Sequence, residues 1–124
     1  ESATNGGNHF IADQGLPVKF SRLDDLVDIF PQQCLLWMDI EGYEGHALKG
    51  ATNLLAIGTP VVCEFNSIYL KHTKGLLLLK NALRDYSFFD LKNLNRATLE
   101  EIEEIYSGGD DFTDILAIKV FELR

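Results

Sequence analysis

Two apolar runs that each carry a carboxylate constrain this chain more than any other feature. The first run covers residues 34–40 and reaches Asp39 near its end, and the second covers residues 60–65 and contains Glu64. A run that is apolar on both faces is typical of an interior strand in a parallel sheet. The sequence therefore predicts two buried strands whose last residues emerge into a crevice.

The segment between the two runs has helical periodicity, and Gly58 with Pro60 marks its end. A crossover helix returns the chain in its original direction, so the two strands are predicted to be parallel. An earlier helix is predicted to be capped by Ser21 and ended by Pro31. The apolar faces of these helices comprise Leu23, Leu26, Val27 and Phe30 in the earlier one and Ala47, Leu48, Ala51, Leu54 and Leu55 in the later one.

The remainder of the chain is predicted to add two helices and two strands. Thr73 is predicted to cap an apolar helix that continues to Tyr86, and a capping box at 98–101 opens a short acidic helix. Residues 87–91 and 114–123 have strand patterns and are the candidates for an antiparallel pair. The predicted fold class is therefore α/β, with a mainly parallel sheet and an antiparallel final strand pair.

Length, composition and charge limit the classes of protein to which the chain can belong. At 124 residues and 46% hydrophobic content it can bury the core of one domain over residues 1–124. Residues 1–16 are predicted to form a loop or a short hairpin, in which 9–12 pairs with 16–20. A net charge of -8 opposes nucleic-acid binding. No apolar stretch approaches the roughly 20 residues that cross a bilayer, so the expected location is cytoplasmic.

The cysteines and histidines do not predict a cross-link or a metal site. If the two strands are parallel, Cys34 and Cys63 lie about four residues out of register, roughly 13 Å apart along the strands. We therefore expect two free thiols. His9, His46 and His72 show no ligand spacing with each other or with the cysteines, so no zinc site is predicted.

The candidate site residues gather at the carboxyl ends of the two predicted strands, where ligands bind in open α/β sheets. Asp39, Glu41 and Glu64 are the candidate catalytic acids, and Glu64 in particular interrupts an apolar run, where an acid is costly unless it is paired, solvated or used. The alternative interpretation is structural, with Asp39 accepting hydrogen bonds from its turn and Glu41 capping a helix. The candidates for substrate contact are Tyr43, His46 and Asn66.

The same region carries a specific residue pattern. It consists of an apolar strand, the hexapeptide Asp-Ile-Glu-Gly-Tyr-Glu at 39–44, a helix that reaches Leu-Lys-Gly-Ala at 48–51, and a strand that ends in Glu64. The segment Phe-Ser-Arg-Leu-Asp-Asp-Leu at 20–26 precedes it. Over residues 18–64 the chain resembles the FkbM-type S-adenosylmethionine-dependent methyltransferases, with Arg22 in place of the usual Thr.

The resemblance implies a Rossmann-like methyltransferase fold, of which residues 17–124 form the C-terminal half. It also implies S-adenosylmethionine as donor and a hydroxyl of a sugar or polyketide-like molecule as acceptor. By position, Asp39 and Glu41 would lie at the rim of the reacting centre and Glu64 at the next strand end, where one carboxylate accepts the hydroxyl proton.

The family's glycine-rich donor loop has no counterpart before Ser21. Cofactor-binding residues are therefore not assigned, and we do not expect the chain to be active alone. A fragment of a longer enzyme, a truncated product and one half of an assembly all remain open.

The absence of that preceding unit also predicts association. The strand over 35–40 would lack a neighbour and present an apolar pairing edge, so we expect a homodimer or higher oligomer. The alternative function is a non-catalytic α/β module that uses this edge to oligomerise.

Overall fold

The computed structural model describes residues 11–26, 34–108 and 110–120. These residues form helices that pack on a five-stranded sheet. Within these residues no helix is long and apolar enough to cross a bilayer. The strands are β1 (Leu36–Met38), β2 (Val61–Phe65), β3 (Ser87–Asp90), β4 (Asn95–Ala97) and β5 (Thr113–Ile118). The helices are α1 (Leu23–Leu26), α2 (Glu44–Lys49), α3 (Thr52–Ala56), α4 (Ser67–His72), α5 (Leu76–Ala82) and α6 (Leu99–Ile105).

The strand order is β1-β2-β5-β3-β4, and only β1 and β2 are parallel neighbours. The last strand, β5, lies between β2 and β3 and runs antiparallel to both, while β3 and β4 form an antiparallel hairpin. The expectation of a mainly parallel sheet is therefore wrong, because insertion of β5 separates β2 from β3 although these two point the same way. The predicted parallel pair β1·β2 and the antiparallel pair β3·β5 are both confirmed.

The two faces of the sheet differ in how well they are covered. The row Val61, Ala117 and Phe88, which pair across β2, β5 and β3, is buried in one core cluster with helix residues. We call this the covered face. The next row belongs to the opposite, open face and comprises Trp37, Val62, Leu116, Phe89 and Arg96. On the open face Trp37 is 73% exposed and Leu116 is partly exposed.

The single helix predicted after β1 is two helices, α2 and α3, because the helix is interrupted at Gly50. The carbonyl oxygen of Gly50 accepts a hydrogen bond from the Asp24 N–H at 2.9 Å instead of one from the following helix. The Asp24 carboxylate in turn accepts a hydrogen bond from the Asn53 N–H at 3.1 Å, at the start of α3. This contact ties the segment that precedes β1 to the helical layer.

The predicted cap at Thr73 is wrong. Asn66 caps α4 by accepting from the Tyr69 N–H at 3.2 Å, and Thr73 follows the last residue of that helix. The Thr73 hydroxyl donates to the Gly42 carbonyl at 2.6 Å, so it does not accept from a helix N-terminus. Helix α5 begins only after Gly75, because Lys74 adopts a left-handed turn conformation with φ 60°.

Other local predictions are confirmed where the structure describes them. The capping box joins Thr98 and Glu101 at the start of α6, and Tyr106 ends the helix. Cys34 and Cys63 are free thiols, and Met38 rather than Cys34 lies opposite Cys63. Residues 11–20 form no strand, so the described part of the expected hairpin is not formed. Predictions on 1–10, 27–33 and 121–124 lie outside the described residues.

Candidate functional site

A sharp turn after β1 positions the acidic segment. Glu41 and Gly42 both have positive φ angles, 54° and 93°. A side chain at Gly42 is excluded by close packing, since its β-carbon would lie 2.5 Å from the carbonyl oxygen of Tyr69. The glycine therefore lets the turn pass against α4 while Asp39 and Glu41 stay at the sheet end.

Glu44 supports this turn from inside the protein. Its side chain is 1% exposed, and Oε1 accepts a hydrogen bond from the Ile40 N–H at 3.0 Å. Oε2 has no hydrogen-bond partner among the described residues. Burial raises the pKa of Glu44, the nearby Asp39 charge adds to this, and the backbone N–H groups of Ile40, Glu44 and Gly42 oppose it.

Thr73 and His46 fasten the turn to the end of α4. The Thr73 hydroxyl donates to Gly42, and His46 Nε2 lies 2.8 Å from the Thr73 carbonyl oxygen. Because a carbonyl oxygen only accepts, Nε2 carries the proton in this contact. The Tyr43 ring lies 5.4 Å from the His46 ring, centroid to centroid. The contacts of His46 are thus with the turn itself.

A row of three carboxylates lies beside the turn, and we call it the acidic row: Asp39 after β1, Glu64 in β2 and Asp114 in β5. Met38 pairs with Cys63, so Asp39 comes next to Glu64 in the parallel register. On its other side Glu64 is paired with Asp114 of β5. Burial raises the pKa of Glu64 to about 7, with further contributions from the charges of Asp39, Glu41, Glu44 and Asp114. Glu64 therefore gains and loses its proton near neutral pH, which suits a general acid or base.

Some of the candidate residues share a cavity and others do not. Asp39, Glu41 and Tyr43 line a cavity of about 970 Å³ together with segment 11–20. Glu41 and Tyr43 also line a second cavity of about 400 Å³, in which Tyr69 is a further wall. Glu64 lines neither cavity, and its link to the two acids is electrostatic.

His46 and Asn66 lie elsewhere. His46 lines a separate cavity of about 580 Å³ beside residues 20–23. Asn66 is buried, and its side-chain oxygen serves as the cap of α4. The structure thus groups Tyr43 with the acids but gives His46 and Asn66 contacts that hold the backbone.

Asp90 is a second carboxylate at the same end of the sheet, and sequence reasoning did not single it out. It is 0% exposed and accepts hydrogen bonds from Thr113 Oγ1 at 2.6 Å, the Tyr106 hydroxyl at 2.7 Å and Asn93 Nδ2 at 3.0 Å. Burial alone would raise its pKa, but the Thr113 and Tyr106 hydroxyls and the backbone N–H groups of Asn93 and Lys92 together lower the pKa of Asp90. Its role is structural.

Sequence reasoning did not assign a role in the site to Asp114 or Glu44, two of the acids whose charges act on Glu64. Glu44 is the third acid of the hexapeptide at 39–44, which was a usable signal. Asp114 is the second residue of β5 and meets Glu64 only because β5 inserts beside β2. No sequence spacing reports that pairing.

The groups that a methyltransferase needs are present only in part. The described residues contain no group of three His, Cys, Asp or Glu side chains that could hold a metal ion. The sulfonium of S-adenosylmethionine is a cation, and the charges of Asp39 and Glu41 suit it. Its nucleoside part requires a glycine-rich turn between a strand and a helix, and the described residues before β1 contain no strand that could begin such a unit.

A comparison with known families places the chain. The family model for the methyltransferase FkbM domain matches residues 8–117, which is most of the chain and includes the acidic turn and both of its strands. No curated protein and no solved structure shows a significant match. The chain therefore belongs to the FkbM methyltransferase domain family.

Proposed function

We propose that this chain forms the acceptor side of an S-adenosylmethionine-dependent methyltransferase that modifies a hydroxyl of a sugar or polyketide-like molecule. The observation that carries the proposal is the acidic row at the ends of the parallel strands β1 and β2. In that row the carboxyl of Glu64, between Asp39 and Asp114, has a pKa of about 7. The family membership supports the same chemistry.

The proposed roles follow from the position of each carboxylate. When bound, the donor supplies an electrophilic methyl group. Asp39 is exposed and lines the larger cavity, so it would accept a hydrogen bond from the acceptor hydroxyl and orient its oxygen. Asp39 would also accept the hydroxyl proton as the general base, and Glu64, which lies next to it outside the cavity, would then hold that proton because its pKa is about 7. Glu41 borders both cavities and would position the acceptor ring.

The test is a methyl-transfer assay with labelled S-adenosylmethionine and hydroxyl acceptors on the complete enzyme that carries this chain, together with calorimetric titration of the donor. Replacing Asp39 by Asn is expected to lower kcat/KM about 10²- to 10⁴-fold, as for loss of a general base. Glu104→Gln, an exposed site on α6, is the matched control and should leave the rate unchanged. Donor binding with equal rates in Asp39→Asn and wild type would contradict the assignment.

A second candidate function is a non-catalytic oligomerisation module, and one observation favours association. β1 is the outermost strand of the described sheet, and both Leu35 and Trp37 are exposed there. We propose a homodimer through this edge, to be measured by light scattering. Trp37→Glu should yield a monomer, whereas Leu77→Glu, an exposed apolar site on α5, should not. A wild-type chain that is monomeric at all concentrations would exclude this association.

A further inference from the structure

The cavity of about 970 Å³ combines apolar walls with charge of one sign. Segment 11–20 supplies large apolar side chains that are exposed to solvent, with Leu16 92% exposed. Among the described residues, the charged lining consists of Asp13, Asp39 and Glu41 and includes no Lys, Arg or His. Lys19, in the same segment, is not part of its wall.

We infer that this cavity binds the acceptor of the proposed reaction, and that the acceptor is a hydroxylated molecule with an amine-borne positive charge and an apolar part. This inference rests on the proposed function and adds the charge class of the substrate. An ammonium group would pair with the carboxylates of the rim, while the apolar part would cover the exposed side chains of segment 11–20.

The carboxylates behind the rim make the discrimination stronger. Asp114 lies beyond Glu64 in the acidic row and adds its charge to that of the rim, and Glu64 adds a further charge above about pH 7, so a bound anion would be repelled. The part of the cavity wall that the structure describes has no basic side chain to offset them. Charge reversal on an otherwise identical ligand should therefore change its Kd by about tenfold or more.

The test uses three probes that share one ring and one apolar aglycone and differ only in charge. These are phenyl β-glucosaminide, phenyl β-glucoside and phenyl β-glucuronide, titrated at pH 6 into the full 124-residue chain and followed by amide NMR shifts. The expected order of affinity is amine, then neutral, then acid, with a gap of about tenfold or more between amine and acid. Shifts should concentrate at Gln14, Glu41 and Tyr43.

The matched variants are Glu41→Gln and Asp13→Asn, each of which removes one charge from the rim. Either should reduce the difference in Kd between the amine and the acid severalfold, whereas Glu104→Gln should not. Circular dichroism of each variant confirms that it is folded. A preserved difference in both variants would overturn the inference, as would equal affinity for the three probes or no binding by any of them.

Two further arms separate other occupants and the proposed function itself. If S-adenosylmethionine shifts the same residues and competes with the amine, the cavity holds the donor and the inference fails. Shifts there that depend on protein concentration alone would assign the cavity to a second copy, which also overturns it. Amine-selective binding without methyl transfer supports the inference while the proposed function fails, and transfer with a preference for the acid does the reverse.

Discussion

Two carboxylates at the same end of the sheet, Asp90 and Glu64, have pKa values shifted in opposite directions. Asp90 is fully buried, yet its pKa is lowered by donors from two side-chain hydroxyls and from its own turn. Glu64 is only partly buried, yet its pKa is raised to about 7. Depth of burial therefore does not rank the two groups.

The difference lies in what surrounds each carboxylate. Asp90 is enclosed by hydrogen-bond donors that stabilise its charge. The carboxylate of Glu64 accepts no hydrogen bond from a described residue and faces Asp39 and Asp114 instead. One end of the sheet thus contains two kinds of carboxylate. We call Asp90 saturated because hydrogen-bond donors surround it, and Glu64 unsaturated because its carboxylate accepts no hydrogen bond from a described residue. Proton transfer is available at the unsaturated one.

Removal of the saturated carboxylate should produce the largest effect. Asp90→Ala removes the carboxylate to which the buried hydroxyls of Tyr106 and Thr113 donate, so we expect a loss of about 3–5 kcal/mol in the free energy of unfolding. Urea denaturation measures this. Asp85→Ala, at an exposed carboxylate, should change the stability by less than about 0.5 kcal/mol. A loss below about 1 kcal/mol in Asp90→Ala would mean that the network contributes little.

Neutralising the unsaturated carboxylate should act in the opposite direction and more weakly. The folded-state pKa of Glu64, about 7, exceeds its ordinary value of 4.5, so its proton is bound more tightly in the folded state. Stability from this group is full below about pH 4.5 and falls as pH rises through 7. Glu64→Gln should therefore stabilise the protein at pH 8 by about 1 kcal/mol, since partial exposure screens the charges.

Unfolding curves between pH 4 and pH 8 check this prediction. The fall in stability over that range should be smaller in Glu64→Gln than in the wild type, and Glu104→Gln should follow the wild type. Asp90 gives the opposite slope, because its lowered pKa removes stability only as pH falls below its ordinary value of 3.8. An unchanged slope in Glu64→Gln would show that Glu64 titrates alike in both states.

The smallest effect should come from the cross-strand neighbour of Glu64. Asp114→Asn removes a like charge directly opposite Glu64, so the pKa of Glu64 should fall and stability at pH 8 should rise by about 0.3 kcal/mol. Carboxyl NMR titration resolves the pKa change. Asp111→Asn, an exposed change away from the β2·β5 pairing, is the control. A pKa of Glu64 that is equal in both variants would remove Asp114 from the acidic row.

Part of the fold and of the candidate site was predictable because it depends on local order. The parallel pair β1·β2 follows from an apolar run, a helical segment and a second run, and the capping box at Thr98 is a four-residue motif. The placement of Asp39 near Glu64 follows from that pairing. The break at Gly50 was not predictable, since it depends on a hydrogen bond from Asp24 across the chain.

The sequence by itself determined the family, the two strands beside the acids and the glycine turn at Gly42, because each is encoded in neighbouring residues. Only the tertiary structure decided that β5 lies between β2 and β3. That insertion sets Asp114 opposite Glu64, which places a like charge beside the Glu64 carboxylate. It also brings Thr113 against Asp90, which gives the Asp90 carboxylate a hydrogen-bond donor. Strand order is settled by packing between distant segments, which spacing along the chain does not record.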